Sequence, residues 1–400
     1  MNTAMRAVAR IDLDAAVENM EAMHKNLPEG TGICAVVKAN GYGHGATRIA
    51  KKLEPLSYVW GYAVATVEEG IDLRKNGVKK PILILGYAFP YCYEDLVTYE
   101  IRPAVFRADQ LEELSDVAVK MDRKLKIHIA VDTGMSRIGI TPDDEGLSFV
   151  RHALSLPGIE IEGLFTHFAK ADMTEGVEDT RKQYEKLMNF SRRIAGELSF
   201  RVPIVHCSNS AAIVQYQEKN HAGLCTAAGT SIVRAGITLY GMEPSDETDL
   251  STVPLKPVMG IYSHVVYIKT IHRGDAVSYG GTFVAGGDVR VATIPFGYAD
   301  GYPRSLSNKG YVLIRGHKAK ILGRVCMDQM MVDITGFDDI QMDDIVTVMG
   351  QEMDEDSDGN LTPKKGGLSI TAEELGNLSG RFNYELVCDI SDRVPRLYVG

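Results

Sequence analysis

The sequence predicts an α/β fold in which a (β/α)8 barrel is followed by a mainly β domain. Eight short runs rich in Val and Ile occur in the first 240 residues. These runs are continuous rather than alternating, as in strands that are buried on both faces. Amphipathic helical segments separate them, and after Gly241 the pattern changes to strand-like runs. We therefore expect a barrel over residues 1–245 and a mainly β domain over residues 246–400.

The eight runs define the order of the barrel strands: ICAVVKA (33–39), WGYAVAT (60–66), PILILG (81–86), IRPAVF (101–106), KIHIAVD (126–132), IEGLFTHF (161–168), PIVHCS (203–208) and SIVRAGI (231–237). Helical patterns lie between them, for example over 66–76, 108–121, 145–156 and 181–198. An open, doubly wound sheet is the main alternative to a barrel. The count of eight favours the barrel.

The C-terminal part begins with a polar segment, MEPSDETDLSTVPLKP, which has the composition of a linker. Strand-like runs follow, among them IYSHVVYIKTI, VRVATIPF and DIVTVMG, with one clear helix near 371–378. The loop DEDSDG (354–359) resembles the start of a calcium-binding loop. Its twelfth position is Lys365 instead of the required Glu. We therefore predict a solvated loop and no metal site.

Composition narrows the class of partner and the compartment. The formal net charge of -10 argues against a general affinity for nucleic acid or anionic membranes. Six scattered cysteines with no CxxC pair favour a reducing compartment. The N-terminal segment lacks the apolar region of a signal peptide, and no run of about 18 apolar residues exists. We expect a cytoplasmic protein.

Polar residues stand at the predicted carboxyl ends of the strands, where the active site of a barrel lies. Lys38 ends the first strand, and an amine in partly apolar surroundings becomes nucleophilic. A Schiff-base lysine and a lysine that snorkels to solvent both remain open. After the seventh and eighth strands, Ser210, Gly236 and Ile237 offer a hydroxyl and amides for a phosphate. A phosphorylated cofactor near such a lysine suggests pyridoxal 5'-phosphate (PLP).

Nine motifs in both parts of the chain resemble the bacterial alanine racemase family, and they occur in the family's order: AVVKANGYGHG, DTGMSRIG, THFAKAD, SNSAA, RAGITLYG, VSYGGTF, GYADGYPR, GRVCMDQM and DRVPR. The resemblance implies a PLP-dependent isomerase that interconverts L- and D-alanine and supplies D-alanine for peptidoglycan. It also implies a head-to-tail homodimer with shared active sites.

The resemblance assigns the two bases of the reaction. Lys38 matches the lysine that forms the aldimine with PLP, and Tyr279 matches a tyrosine contributed by the other subunit. The two would act on opposite faces of the substrate Cα. Because the ordinary pKa of tyrosine is about 10, the site must favour the phenolate. His206 and Arg234 resemble the supporting network for this.

The resemblance also assigns the binding residues. Arg234 matches the arginine that faces the pyridine nitrogen, and His167 matches the histidine that supports it. Arg137 resembles the residue that binds the phenolic oxygen of PLP and positions the substrate carboxylate. The contacts to the phosphate of PLP are matched by Tyr42, Ser210, Gly236 and Ile237. Met327 matches the residue of the partner chain whose backbone amide meets the substrate carboxylate, and Asp328 is its neighbour. Tyr298 matches the tyrosine of the entry channel.

Two positions depart from the family pattern. Ala130 replaces a lysine, sometimes carbamylated, that would orient Arg137, and we expect an anion or a water in the gap. Asp392 replaces a tyrosine that touches the phosphate, and we expect its carboxylate to turn away from a phosphate, to stay solvated or to reach the partner subunit through water. With Asp392 at this position, serine or a basic amino acid remains an alternative substrate to alanine. A PLP-dependent decarboxylase of the same architecture is the weaker alternative, because its GPxCxSxD motif is missing.

Overall fold

The computed structural model describes residues 5–216, 224–356 and 360–400. The chain forms two compact units. One consists of Ala16–Gly41 and Gly45–Lys256, and the other consists of Met1–Ala15, Tyr42–His44 and Pro257–Gly400. A boundary between the two domains at residues 245 and 246 stays a prediction.

The first of these units is the predicted barrel, and each of the eight runs contains a strand. The barrel strands, in chain order, are Gly32–Val36, Val59–Val64, Ile82–Ile84, a divided fourth strand of Ile101–Arg102 and Ala104–Val105, Leu125–Ala130, Ile159–Phe165, Ile204–His206 and Ile232–Ala235. Pro103 divides the fourth strand, because proline has no N–H group for a ladder.

Parallel ladders join the strands into a closed barrel. One ladder orders the eighth, first, second, third and fourth strands, and another joins the fourth to the fifth, sixth and seventh. Two backbone hydrogen bonds link the seventh and eighth strands: Ser231 to the Val205 carbonyl (2.9 Å) and Arg234 to the Ser208 carbonyl (3.0 Å). The prediction of a barrel is confirmed, and the open sheet is excluded.

One helix precedes the first barrel strand, and helices follow the barrel strands as predicted. Outside the left-handed turn after the first strand, they are Leu13–His24, Ala46–Leu53, Val67–Lys75, Tyr93–Thr98, Ala108–Lys120, Asp144–Ser155, Val177–Leu198 and Ser210–Gln215. Helix Val67–Lys75 shows why a helix begins where the sequence indicates. The Thr66 side chain accepts a hydrogen bond from the Glu69 amide, and Glu69 reaches back to the Thr66 amide, which completes a capping box. Gly77, with φ of +89°, ends the segment.

The second unit is mainly β. Its largest sheet contains Ala7–Asp12, Met259–His264, Tyr311–Ile314, His317–Lys320, Ile345–Gln351, Ser369–Ile370 and Arg396–Val399. A smaller sheet joins Tyr267–Ile271, Val289–Ile294 and Met330–Asp333. Two hairpins pair Ala276–Val277 with Phe283–Val284 and Met353–Glu355 with Leu361–Pro363.

Three details of this unit differ from the sequence patterns. Strand Ala7–Asp12 lies between Met259–His264 and Arg396–Val399, although about 250 residues separate it from the first of these in the sequence. Helix Asn383–Cys388 follows the expected helix, which spans Ala372–Ser379. The long run at 261–271 divides into strands of two different sheets. The run is apolar on both sides of the break, so the hydrophobic pattern does not reveal it.

Asp358 and Gly359 of the acidic loop lie outside the described residues. Within the described ranges, no group of three or more His, Cys, Asp or Glu side chains is arranged to hold a metal ion. None of the helices in the same ranges has the length and apolar character that crossing a membrane requires.

Candidate active site

Lys38 stands at the carboxyl end of the first barrel strand, at the start of a left-handed turn. The φ angles of Ala39, Asn40 and Gly41 are 51°, 52° and 63°. Residues other than glycine seldom adopt this conformation, and the strain that it stores is concentrated at functional sites in proteins. Hydrogen bonds hold the turn, since the Asn40 side chain accepts from the Ala46 amide at 3.0 Å. This hydrogen-bonded turn thus holds the half-buried Lys38 at the rim of the barrel.

Ser210, Gly236 and Ile237 come together at the ends of the seventh and eighth strands. The Gly236 amide donates to the Ser210 hydroxyl at 2.9 Å, and the Thr238 hydroxyl donates to the same oxygen at 3.1 Å. Ile237 begins a short 3-10 helix, Ile237–Tyr240. A hydroxyl and backbone amides from two neighbouring strand ends are the donor set that a phosphate group requires.

Arg234 is a buried cation at the same end of the barrel, with only 2% of its surface exposed. Nη1 donates to Nδ1 of His206 at 2.7 Å. Nη2 donates to the carbonyls of Thr166 (2.8 Å) and Cys207 (2.9 Å), and lies 3.2 Å from Nδ1 of His167. None of these four contacts uses the Nε–H group. Burial lowers the pKa of Arg234 to about 10, so the guanidinium remains charged at neutral pH.

His167 and His206 are both uncharged at neutral pH. Burial and then the charges of Arg234, Arg137 and Lys38 lower the pKa of His167 to about 3. Burial and the charge of Arg234 also hold the pKa of His206 well below its ordinary value. The two imidazoles can therefore accept hydrogen bonds from Arg234.

A row of hydrogen bonds continues from Arg234 toward the opposite end of the barrel. Nε2 of His206 lies 2.9 Å from Nδ1 of His128, and Nε2 of His128 lies 3.2 Å from Oε2 of Glu162. Arg102 donates to Glu162 at 2.7 Å. No motif in the sequence predicted a role for His128, Glu162 or Arg102. A charged Glu inside the buried run IEIEGLF was the available signal.

Arg137 lies in the loop after the fifth strand. The Asp132 side chain holds this loop by accepting from the Gly134 and Ser136 amides at 2.9 and 3.0 Å. Arg137 borders a small cavity of about 10 Å³, the other lining residues being Ala130, Val131, Met135, Ile138, Phe165, Thr166 and His167.

Side chains fill the space around Ala130. It packs with Ala104 and Phe165, and Leu85 and Phe106 cover the cluster. A single water needs a cavity of roughly 10 to 15 Å³, so the adjoining cavity is at the lower limit even for one water. The packing therefore counts against an anion at this position, and a water there stays a prediction.

Tyr279 lies in the β unit, on the turn of the hairpin Ala276–Val277/Phe283–Val284, and is 72% exposed. Ser278 before it has a φ of 65°, and its hydroxyl donates to the Arg324 carbonyl at 2.6 Å. Gly280 has a φ of 73°, and a Cβ there would lie 3.1 Å from the Arg324 guanidinium. Backbone strain such as that of Ser278 is concentrated at functional sites in proteins, which makes this turn a candidate site.

The other predicted residues of the β unit also lie at its surface. Tyr298 and Met327 are joined through their loops, because the Tyr298 amide donates to the Cys326 carbonyl at 3.0 Å. Both side chains are exposed. Arg393 donates to Asp328 at 2.7 Å.

Tyr42 and Asp392 complete the positions of interest. Tyr42 is buried and lies 5.9 Å from the Tyr384 ring between centroids, and burial raises the pKa of its hydroxyl. The Asp392 side chain is fully exposed, at 103% of its reference area, and its carboxylate is 3.9 Å from Arg396. The carboxylate is thus exposed within this chain, and its arrangement toward a phosphate or a partner subunit stays a prediction.

These features define an α/β-barrel enzyme with a lysine and a buried arginine at the rim of the barrel. Residues 11–244 match the N-terminal domain of alanine racemases, and residues 258–398 match the C-terminal domain. The chain belongs to the alanine racemase family.

Individual relatives agree with this assignment. An alanine racemase of Clostridium perfringens (strain SM101 / Type A) is 41% identical over 399 residues, which cover 100% of this chain and 97% of the relative. The structure of alanine racemase from Clostridium difficile 630 is similar with a TM-score of 0.88 and 36% identity, covering 100% of this chain and 97% of that one. The alanine racemase of Bacillus anthracis with bound L-Ala-P has a TM-score of 0.87 and 31% identity, covering 100% and 96%.

Proposed function

We propose that this chain interconverts L- and D-alanine with PLP bound in the barrel, and thereby supplies D-alanine for peptidoglycan. The observation that carries the proposal is the buried Arg234 at the barrel end where Lys38 emerges from a strained turn. Relatives named alanine racemase along the whole chain support the choice of substrate.

The residues present fit PLP. Ser210, Gly236 and Ile237 would hold the phosphate, together with Tyr42 by its match to the family. Lys38 would carry the cofactor, and Arg234 would face the ring nitrogen through its Nε–H group. When bound, PLP makes the substrate Cα–H acidic by delocalising the electron pair into its ring.

Lys38 and Tyr279 act as the two bases. Lys38 Nζ takes or returns a proton on one face of Cα, and the Tyr279 hydroxyl does the same on the other face. The direction of the reaction decides which of them takes the proton. A racemase needs both groups, because one base on one face can only return the proton to the side from which it came.

Arg234 controls how far the negative charge that forms at the substrate Cα would spread into the PLP ring. Its guanidinium keeps its positive charge at neutral pH, so it disfavours a proton on the ring nitrogen that it faces. Arg234 would thereby keep bound PLP a weaker electron sink and limit side reactions such as transamination. His167 and His206 support Arg234 as uncharged acceptors.

Arg137 positions the substrate carboxylate and the phenolic oxygen of PLP. Met327 contributes its backbone amide to the same carboxylate, with Asp328 beside it, and Tyr298 lines the entrance. We propose that four residues of the β unit contribute to the active site in the barrel of a partner subunit, in a head-to-tail homodimer: Met327, Asp328, Tyr298 and Tyr279. Their exposed positions on the β unit support an interface there. We also propose a cytoplasmic location, and no nucleic-acid or membrane partner.

A chiral chromatography assay tests the proposed activity. The purified protein with PLP is given L-alanine, L-serine and L-lysine separately, and D-enantiomer formation is followed. We expect alanine to be converted fastest. Comparable conversion of serine or lysine would show a broader amino-acid racemase, and carbon dioxide without a D-enantiomer would show a decarboxylase instead. No conversion of any of the three would contradict the proposal.

A further inference from the structure

We propose that Glu162, acting through His128 and His206, is a positioning residue that holds Arg234 in one orientation. Glu162 and Arg234 do not touch. The inference rests on the proposed function only in its last step, where Arg234 faces the cofactor. The positions of the protons on His128 and His206 follow from the hydrogen bonds within the chain.

The hydrogen bonds can run in only one direction. Arg234 can only donate, so Nδ1 of His206 must accept. A neutral His206 then carries its proton on Nε2 and donates it to Nδ1 of His128. His128 in turn carries its proton on Nε2 and donates it to the Glu162 carboxylate. A cation at one end and an anion at the other thus fix both imidazoles in the Nε2–H tautomer.

Neutral imidazoles are what the surroundings favour. Burial lowers the pKa of His206 and of His128, although Glu162 opposes the effect at His128. Burial alone would raise the pKa of Glu162. Hydrogen bonds from His128 and Arg102 outweigh it, and they hold that pKa well below its usual range. Glu162 is therefore a carboxylate, an acceptor only.

The barrel has a specific device that turns Glu162 toward His128. Along the fifth and sixth strands, Ile127 pairs with Ile161, but His128 pairs with Gly163. Glu162 is the extra residue of this β-bulge, and such bulges re-aim side chains beside active sites. A Cβ atom on Gly163 would overlap the His128 imidazole, so the glycine leaves the space that the ring occupies.

A second bulge packs against the same ring. Between the first and second strands the register shifts so that Trp60 is the extra residue, and its ring lies 5.8 Å from His128 between centroids. On the other side, the Phe165 ring stacks on His206 at 5.0 Å with 9° between the planes. Both imidazoles are thus held in place by packing as well as by hydrogen bonds.

Loss of the Glu162 carboxylate should free His128, the next residue in the row of hydrogen bonds, from its single tautomer. In Glu162→Gln the side-chain amide can donate as well as accept, so His128 is no longer restricted to one tautomer. If His128 presents Nδ1–H, His206 loses its acceptor and must turn or change tautomer. Arg234 would then lose the His206 contact that orients its guanidinium.

The test compares Glu162→Gln with Glu160→Gln in the purified PLP-loaded enzyme. Glu160 is a matched control, because it is exposed on the same strand and pairs with Lys126 at 3.7 Å. The first readout is the ring 15N chemical shifts of His128 and His206, assigned with single His→Gln variants. The second is kcat and KM for alanine. Gly163→Ala is a second route to the same effect, since it displaces His128 and keeps every polar group.

In the wild type and in Glu160→Gln, we expect both histidines in the Nε2–H tautomer. In Glu162→Gln and in Gly163→Ala, we expect the His206 shifts to change, although the hydrogen bonds of the His206 ring are to Arg234 and His128 and not to the mutated residues. We also expect kcat to fall about tenfold with KM less affected, the usual size for residues that orient a ligating group. Unchanged His206 shifts in a folded variant would overturn the inference. The shifts test it even if the chain does not racemise alanine.

Discussion

Arg6 and Asp300 form a bidentate ion pair across 294 residues of sequence, with bonds of 2.9 and 2.6 Å. The Asp300 side chain is completely buried, and it also accepts from the Gly297 amide at 3.0 Å. Asp300 thereby shapes the turn that carries Tyr298. The main ion-pair partner of this carboxylate comes from the start of the chain, and Arg393 lies 3.7 Å from the same carboxylate.

Removal of Arg6 should therefore destabilise the protein. Arg6→Ala leaves a buried carboxylate without its main partner, which costs about 3 to 5 kcal/mol when both partners are buried. Since the Arg6 side chain is 36% exposed, we expect about 2 kcal/mol. Urea unfolding measures this loss. Arg107→Ala, which breaks the exposed pair with Asp109, is the control and should change little. Equal effects of the two variants would contradict this view of Asp300.

Gly43, close after Lys38, should not tolerate a side chain. Its φ is +79°, and a Cβ there would overlap the Val387 carbonyl. Gly77 has a similar φ of +89° but no other atom within 4 Å of such a Cβ. Gly77→Ala should cost about 1 to 2 kcal/mol from backbone strain alone. Gly43→Ala should cost about 1 to 3 kcal/mol more, because of the overlap. Unfolding curves that show the same loss for both would refute the close packing at Gly43.

The buried histidines should make the protein less stable in acid. Below pH ~6.5 the unfolded chain binds protons on these histidines that the folded chain does not. Stability is therefore present above that pH and is lost as the pH falls toward the folded pKa, which is about 3 for His167. Each such histidine contributes up to ~1.4 kcal/mol per pH unit.

Urea unfolding at about pH 7, 6 and 5 measures this slope. His206→Gln should make the slope shallower, because one of the buried histidines is removed. His272 is a control, since the neighbouring Asp288 raises its pKa and its loss should not flatten the slope. A slope in His206→Gln as steep as in the wild type would show that His206 is protonated in the folded state.

Asp392 should influence which amino acids are accepted. Its exposed carboxylate stands where the resemblance to the family implies a tyrosine, so Asp392→Tyr would replace a small charged group by a ring. We expect the kcat/KM ratio of serine to alanine to fall in the variant. An unchanged ratio would mean that Asp392 does not determine specificity.

The sequence was sufficient for the barrel and for the polar residues at its rim. Continuous apolar runs predict buried strands, and strand ends predict where Lys38, Ser210 and Arg234 lie. The inward residues His128 and Glu162 could not be found in this way, because a bulge turns Glu162 and hydrophobic periodicity does not locate bulges. The place of strand Ala7–Asp12 depends on partners far along the chain, which local patterns do not identify.

Hydrogen exchange at the substrate Cα in deuterated water tests the two-base assignment most directly. L-alanine and D-alanine are supplied separately to the wild type, to Tyr279→Phe, and to Tyr267→Phe, an exposed tyrosine of the β unit that serves as the control. We expect Tyr279→Phe to bind PLP and to keep exchange with one enantiomer through Lys38. With the other enantiomer, exchange should fall by about 10² to 10⁴, the usual contribution of a general base. Equal exchange of both enantiomers at the wild-type rate would contradict the assignment of Tyr279 as the second base.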